Sequence, residues 1–176
     1  MTDCNNVTSI DCQKLFDAHE RTGADITIVG MRGKRPQNIR TTLTFDKIDE
    51  DGRIREMSID RSTDEEVTYS TNIILMKKYL LESLIMNAHA SNKVSFQRSV
   101  LMANLNSLKM YTYLPEDSFA ETIDSVQSYY DISMRLLERE NRKKLFAPSP
   151  IYTKERDDMP TIYGIESKVT NSLVPN

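Results

Sequence analysis

Apolar residues along the 176-residue chain switch between alternate-position spacing and spacing of three or four, and the switches mark the expected elements. From Ser9 to Arg21 the positions Ile10, Leu15, Phe16 and His19 follow helical spacing, with Ser9 or Asp11 as cap and Gly23 as the stop. Ile26 and Ile28 then flank Thr27 in a strand over Asp25 to Val29, and Gly30 and Gly33 bracket a basic segment, Met31 to Pro36, that reads as a loop. Leu43, Phe45 and Ile48 alternate with polar residues, Asp51-Gly52 supplies a turn, and Ile54 begins a return strand towards Ile59, so a hairpin is expected.

After a polar loop over Asp60 to Val67, Tyr69 to Met76 reads as a strand leading into a helix from Lys77 to about Ala88, with Leu80, Leu81, Leu84 and Ile85 on one face. A further helix is expected over Phe96 to Leu105, burying Phe96, Val100, Leu101 and Leu105. A strand over Lys109 to Leu114, closed by Pro115, follows it, and a short strand lies around Phe119 to Ile123. The most regular helix, Ser125 to Glu138, repeats Val126, Tyr130, Met134 and Leu137 as a buried stripe. Helices interleaved with strands predict an α/β sheet with helices packed on it rather than a bundle or a sandwich. Prolines at 148, 150 and 160 make 147–166 an extended linker, and Ser167 to Asn176 reads as one short β segment.

Composition narrows the classes. A hydrophobic share of 39% supports a real core, and charges of both signs argue against a disordered tail. With 23 Lys and Arg against 26 Asp and Glu, the formal net charge of -3 offers no basic stripe for phosphate backbones, so nucleic acid is not an expected partner. The apolar runs, such as Ile73 to Met76, fall far short of the roughly 20 residues that cross a bilayer. Residues 1–6 lack a basic region followed by an apolar run, so no secretory signal is expected and cytoplasm is the default. Cys4 and Cys12 stand alone and read as reduced thiols rather than a zinc or redox pair.

Candidate chemistry is sparse. The five glycines never reach a phosphate-loop spacing. His19 and His89 sit where packing or capping accounts for them, and Asp49, Glu50 and Asp51 suit a turn better than a metal site. Tyr111, Tyr113, Tyr129 and Tyr130 are expected in the core. Arg32, Lys34, Arg35 and Arg40 concentrate positive charge that could hold a phosphorylated effector, although such runs are usually solvated surface. Spacing alone gives Asp3 no role.

The element order and several strings resemble the glucose-1-phosphate adenylyltransferase (ADP-glucose pyrophosphorylase) family, and its GlgD-type subunits most closely. The strings are Asp25-Ile26-Thr27-Ile28-Val29, Ile123-Asp124-Ser125-Val126-Gln127-Ser128-Tyr129-Tyr130, Pro150-Ile151-Tyr152-Thr153-Lys154 and Asn171-Ser172-Leu173-Val174. The resemblance implies glycogen biosynthesis, in which ATP and glucose 1-phosphate give ADP-glucose and pyrophosphate with magnesium, on a tetramer of subunits. It implies a Rossmann-like nucleotidyltransferase domain with a mixed sheet, followed by a left-handed β-helix. On that pattern 1–146 is the carboxy-terminal half of the first domain, 147–166 the linker, and 167–176 the first rung of the β-helix, a single rung being too little to bury its own face.

Carried over residue by residue, the resemblance makes Asp3 a magnesium ligand and places Ser70 near the sugar phosphate. Other positions depart from it. Where catalytic members have Glu-Lys-Pro, this chain has Ser58-Ile59-Asp60-Arg61, leaving Arg61 one place on as the available cation. Ser70-Thr71-Asn72 stands for Ser-Met-Gly, Ser95-Phe96 for Asp-Phe, and Thr122 occupies the position of the second metal-binding aspartate. Asp124 lies two residues further, about 7 Å along a strand, and is not a substitute. Nucleotidyl transfer depends on metal and cations to stabilise the transferring charge. The expectation is therefore no catalytic residue and no bound magnesium here, in a regulatory or weakly catalytic subunit that works in a hetero-oligomer with a catalytic partner. The alternative is a competent transferase whose full-length form uses Asp3 for metal and Arg61 for phosphate.

Overall fold

The computed structural model describes residues 1–35, 39, 41–59, 65–116, 118–148, 151–152 and 164–170. Its elements run β1 (Asn6–Thr8), α1 (Cys12–Thr22), β2 (Ile26–Gly33), β3 (Leu43–Ile48), β4 (Ile54–Ile59), β5 (Val67–Met76), α2 (Lys78–Ala90), β6 (Met110–Tyr113), β7 (Ala120–Thr122), α3 (Val126–Arg135) and α4 (Arg139–Phe146). Five strands form a mixed sheet in the order β4-β3-β5-β2-β6, and β1 pairs with β7 in a separate two-stranded sheet. β2 runs antiparallel to β5 and parallel to β6. The α/β class expected from the alternation of elements is what the chain adopts.

Burial explains the layout. Ile26, Ile28, Leu43, Phe45, Ile54, Met57, Ile74, Leu101 and Met110 form one core, covered by Leu80 and Leu84 of α2 and by Phe96, Met102 and Leu105. Each fully buried aliphatic side chain contributes about 1.5 to 3 kcal/mol. A second cluster, Phe119, Ile132 and Leu145, joins β7 to α3 and α4 with Val7, Ile123 and Leu136 around it. Local signals act as expected at α1, where Asp11 accepts from the N–H groups of Gln13 and Lys14 and Gly23 closes the helix at φ 59. The hairpin turn also forms, with Gly52 at φ 88 and Asp51 accepting from the Arg53 N–H at 3.1 Å.

Several expectations are corrected. The basic segment after Gly30 does not leave the sheet at once: β2 continues to Gly33, with Met31 opposite Tyr69 and Arg32 opposite Thr68, because the β5 ladder outweighs the weak strand propensity of glycine. Gly30 serves close packing, since a Cβ there would lie 2.7 Å from Thr112 Oγ1 and 3.2 Å from Phe45 Cε2. The helix expected over Phe96 to Leu105 is one wide π turn, Phe96–Leu101, followed by a 3-10 turn, Met102–Asn104. Asn104 Nδ2 donates to the Val100 carbonyl at 2.7 Å, taking an acceptor that a regular helix would use for its backbone.

The helix expected from Ser125 to Glu138 ends at Arg135, and α4 was not anticipated. Arg142 donates to the Leu136 and Leu137 carbonyls at 3.2 and 2.8 Å, which satisfies the broken end. Its expected buried stripe faces largely outwards: Val126 is 87% exposed, Tyr130 and Met134 are also exposed and Leu137 is half-buried, with Tyr129 exposed beside them. The segment carries two apolar stripes, and burial follows the one that Ile132 and Leu136 present to Phe119 and Leu145. Tyr129 and Tyr130 are thus not core residues. Phe16 and Ile85, counted on buried faces, are exposed as well. β1, three residues long, gave no alternation to read. Residues 167–170 of the expected terminal β segment carry no strand, and 171–176, like most of the linker and 60–64 of the polar loop, lie outside the described residues.

His19 is buried on α1 with Nδ1 2.7 Å from Thr27 Oγ1, the packing arrangement expected for it. Burial first, and then the Lys77 charge, lower its pKa from the ordinary value of 6.5. The unfolded chain therefore binds a proton at His19 more readily than the folded one, and stability contributed by the neutral ring is lost as pH falls below 6.5. Urea unfolding should show a lower midpoint at about pH 5 than at about pH 7, with the difference smaller in His19→Gln. An equal difference in both proteins contradicts the assignment.

Candidate functional site

The site begins with an irregularity in β5. Ile28 pairs with Ile74 and Gly30 with Ser70, so the single residue Val29 faces three, Thr71, Asn72 and Ile73. β5 bulges there. Thr71 Oγ1 donates to the Val29 carbonyl at 3.1 Å and pins one side of the bulge. Asn72 sits at its tip with φ 58, a left-handed conformation that glycine adopts freely and asparagine tolerates best among the rest. Its N–H donates to Ser70 Oγ at 2.9 Å, which fixes the turn.

The bulge collects the amino-terminal segment and the small sheet. Asn72 Nδ2 donates to Asp3 Oδ2 at 2.8 Å. Asn6 Nδ2 donates to the Thr71 carbonyl at 2.9 Å, while Thr122 Oγ1 donates to Asn6 Oδ1 at 2.9 Å. Asn5 Nδ2 adds a bond to the Ile123 carbonyl at 2.9 Å. Thus Asp3, Ser70, Thr71, Asn72 and Thr122, remote in sequence, form one polar junction. Of the residues expected at a sugar-phosphate site, Ser70 is buried and occupied by its own turn, and Arg61 lies outside the described residues.

The donor set does not make a magnesium site. Magnesium takes about six oxygen ligands at about 2.0 to 2.1 Å and favours carboxylates. Asp3 is the one carboxylate of the junction, with an oxygen engaged by an amide, and Thr122 brings a hydroxyl already donating to Asn6. No group of three or more His, Cys, Asp or Glu converges on a common point among the described residues.

The basic cluster divides. Arg32 is exposed and borders a recess with Gly30, Met31, Leu114, Pro115 and Glu116. Lys34 and Arg35 border a different cleft of about 380 Å³, opposite Thr122, Ser125 and Ser128. Arg40 lies outside the described residues. The second cleft receives the amino terminus of α3, where Ser125 and Ser128 cap each other, but Glu121, Asp124 and Asp131 border it too. Cations and the helix dipole there meet carboxylates of opposite charge. Tyr69, also lining the cleft, has its hydroxyl pushed up to about 12 by burial and by Glu121, so it is neutral at physiological pH. Glu121 itself is held by Arg135 at 2.6 Å, tying β7 to α3.

The fold is a mixed α/β domain with a polar junction at the β5 bulge. No family model matches the chain. It is 37% identical to the glycogen biosynthesis protein GlgD of Bacillus subtilis over 109 residues, 61% of this chain and 31% of that protein. It is 25% identical over 177 residues to a glucose-1-phosphate adenylyltransferase of Thermomicrobium roseum, covering 98% of this chain and 40% of the relative. A small subunit of the chloroplastic/amyloplastic enzyme of Triticum aestivum matches at 22% over 94% of the chain and 39% of its own length. The chain spans 31% to 40% of the length of these curated relatives. It is a GlgD-type relative of the glucose-1-phosphate adenylyltransferase family.

Sequence reading singled out Asp3, Ser70 and Thr122 but not the asparagines that bind them together. Asn72 carried a legible sign, an asparagine where the resembled string has glycine. Asn6 carried none, because its partners in the junction, Thr71 and Thr122, lie 65 and 116 residues away. Asn6→Ala removes both bonds and leaves the Thr71 carbonyl and the Thr122 hydroxyl without them, a loss of about 1 to 3 kcal/mol. A shifted urea midpoint with unchanged slope is the expected result. A loss below about 0.5 kcal/mol, the range of ordinary surface changes, contradicts a structural junction.

Proposed function

We propose that this chain is part of a regulatory or weakly catalytic GlgD-type subunit that acts in glycogen biosynthesis beside a catalytic glucose-1-phosphate adenylyltransferase subunit. The observation that carries the reading is the junction at Asp3: its carboxylate accepts from Asn72 Nδ2, and Thr122 stands in for a second carboxylate. Transfer of an adenylyl group between ATP and glucose 1-phosphate builds charge on the transferring phosphorus, and metal and cations must stabilise it. The Asp3 junction supplies one engaged carboxylate for that task. In this reading the catalytic partner carries the reaction that yields ADP-glucose and pyrophosphate, and this chain supplies fold and contact surface.

The domain reading is part of the same proposal. Residues 1–146 correspond to the later half of a nucleotidyltransferase domain, 147–166 to a linker and 167–176 to the start of a β-helix. Its support is that 98% of the chain aligns with 40% of a glucose-1-phosphate adenylyltransferase relative. The exposed α3 face with Val126, Tyr129 and Tyr130 provides apolar area suited to subunit or domain contact. Lys34 and Arg35 remain the candidate effector-binding cations, with Arg32 on a separate recess.

The test has two arms. The chain mixed with ATP, glucose 1-phosphate and magnesium should form no ADP-glucose above a protein-free blank, and the full-length protein should co-purify with a catalytic subunit and alter its kinetics. Turnover above the blank that Asp3→Ala abolishes would instead establish a competent transferase.

A further inference from the structure

The Asp3 carboxylate is exposed on one side and accepts from the buried Asn72 amide, Nδ2 to Oδ2, at 2.8 Å on the other. We propose that Asn72 and Asn6 act as a metal-independent amide clasp, joining the amino-terminal segment and the β1-β7 sheet to the β5 bulge at the carboxylate position the resemblance gives to magnesium. The clasp rests on the junction geometry and on that positional resemblance, and it holds whether or not the full-length protein is a subunit of a larger enzyme.

Four observations carry it. First, Asn72 occupies a left-handed position, φ 58, where glycine would leave empty space, and its side chain uses that space to reach Asp3 at 2.8 Å. Second, Asn72 is buried, 6% exposed, so its side of the contact is sheltered while Asp3 faces out, and an amide N–H on a carboxylate oxygen makes a charge-assisted bond. Third, Asn72 Oδ1 is buried with no hydrogen-bond partner among the described residues. An orphaned acceptor is costly, and it persists because turning the amide over would set that oxygen against the Asp3 carboxylate. The Asp3 bond therefore dictates the amide's orientation. Fourth, Asn6 works in parallel, donating to the bulge at Thr71 and accepting from Thr122, so that a hydroxyl replaces a second carboxylate without leaving a buried charge. Together two neutral amides link three segments, as a divalent cation would by drawing carboxylates together.

Three variants of the 176-residue chain test this. Wild-type thermal unfolding should be the same in EDTA and in millimolar manganese. Asn72→Asp sets a second carboxylate against Asp3: its melting temperature should fall in EDTA and recover in manganese, and adding Asp3→Asn should remove the recovery. Asn72→Gly keeps the backbone but loses the clasp, so amide hydrogen exchange over residues 3–8 should accelerate on the order of tenfold. That exchange carries the test should Asn72→Asp fail to fold. A wild-type melting temperature that manganese raises through Asp3, a folded Asn72→Asp that ignores manganese, or unchanged exchange in Asn72→Gly each overturns the clasp.

Discussion

A bulge of three residues against one, at Thr71 to Ile73 of β5, is the constraint on which the functional region depends. Without the extra residues β5 would run flat against β2 and present no backbone to the small sheet. With them, the Thr71 carbonyl and the Asn72 side chain turn away from the ladder towards Asn6 and Asp3. The tight approach of β6, which requires the bare Cα of Gly30 beside Thr112, holds the opposite side of β2 in place. The bulge is therefore a fixed point between two packed layers, and small polar side chains are enough to complete it.

That economy bears on function. An active site of this chemistry needs carboxylates held close together against their mutual repulsion, with a cation to offset it. In the proposed reading that repulsion is absent at this junction, because Thr122 stands for one carboxylate and the Asn72 amide engages the other. In the proposed reading the polar junction of this mixed α/β fold serves cohesion, and the interest of the molecule moves to its surfaces. Foremost among these is the exposed apolar side of α3, the face that helical spacing alone assigned to the core.

How much was legible in the sequence follows from what each signal depends on. Local chemistry was readable: Asp11 and Gly23 bound α1, Asp51-Gly52 turned the hairpin, and Ile26 and Ile28 faced the core. Signals that depend on partners misled. The period of three and four in α3 was real, but two apolar stripes competed, and the Phe119 and Leu145 contacts chose between them. Glycines at 30 and 33 suggested a loop until the β5 ladder is counted. At the site, Asp3, Ser70 and Thr122 were found by resemblance, whereas Asn6 was invisible because its bonds span most of the chain. The polar junction is a tertiary object, and of the asparagines that bind it only Asn72, standing where the resembled string has glycine, left a trace in the string.

The most direct measurement is an anomalous difference map from crystals of this chain grown with manganese. The account predicts Asn72 Nδ2 in contact with Asp3 and no anomalous peak beside that carboxylate. A manganese peak about 2.1 Å from an Asp3 oxygen, with the Asn72 amide displaced, would contradict it.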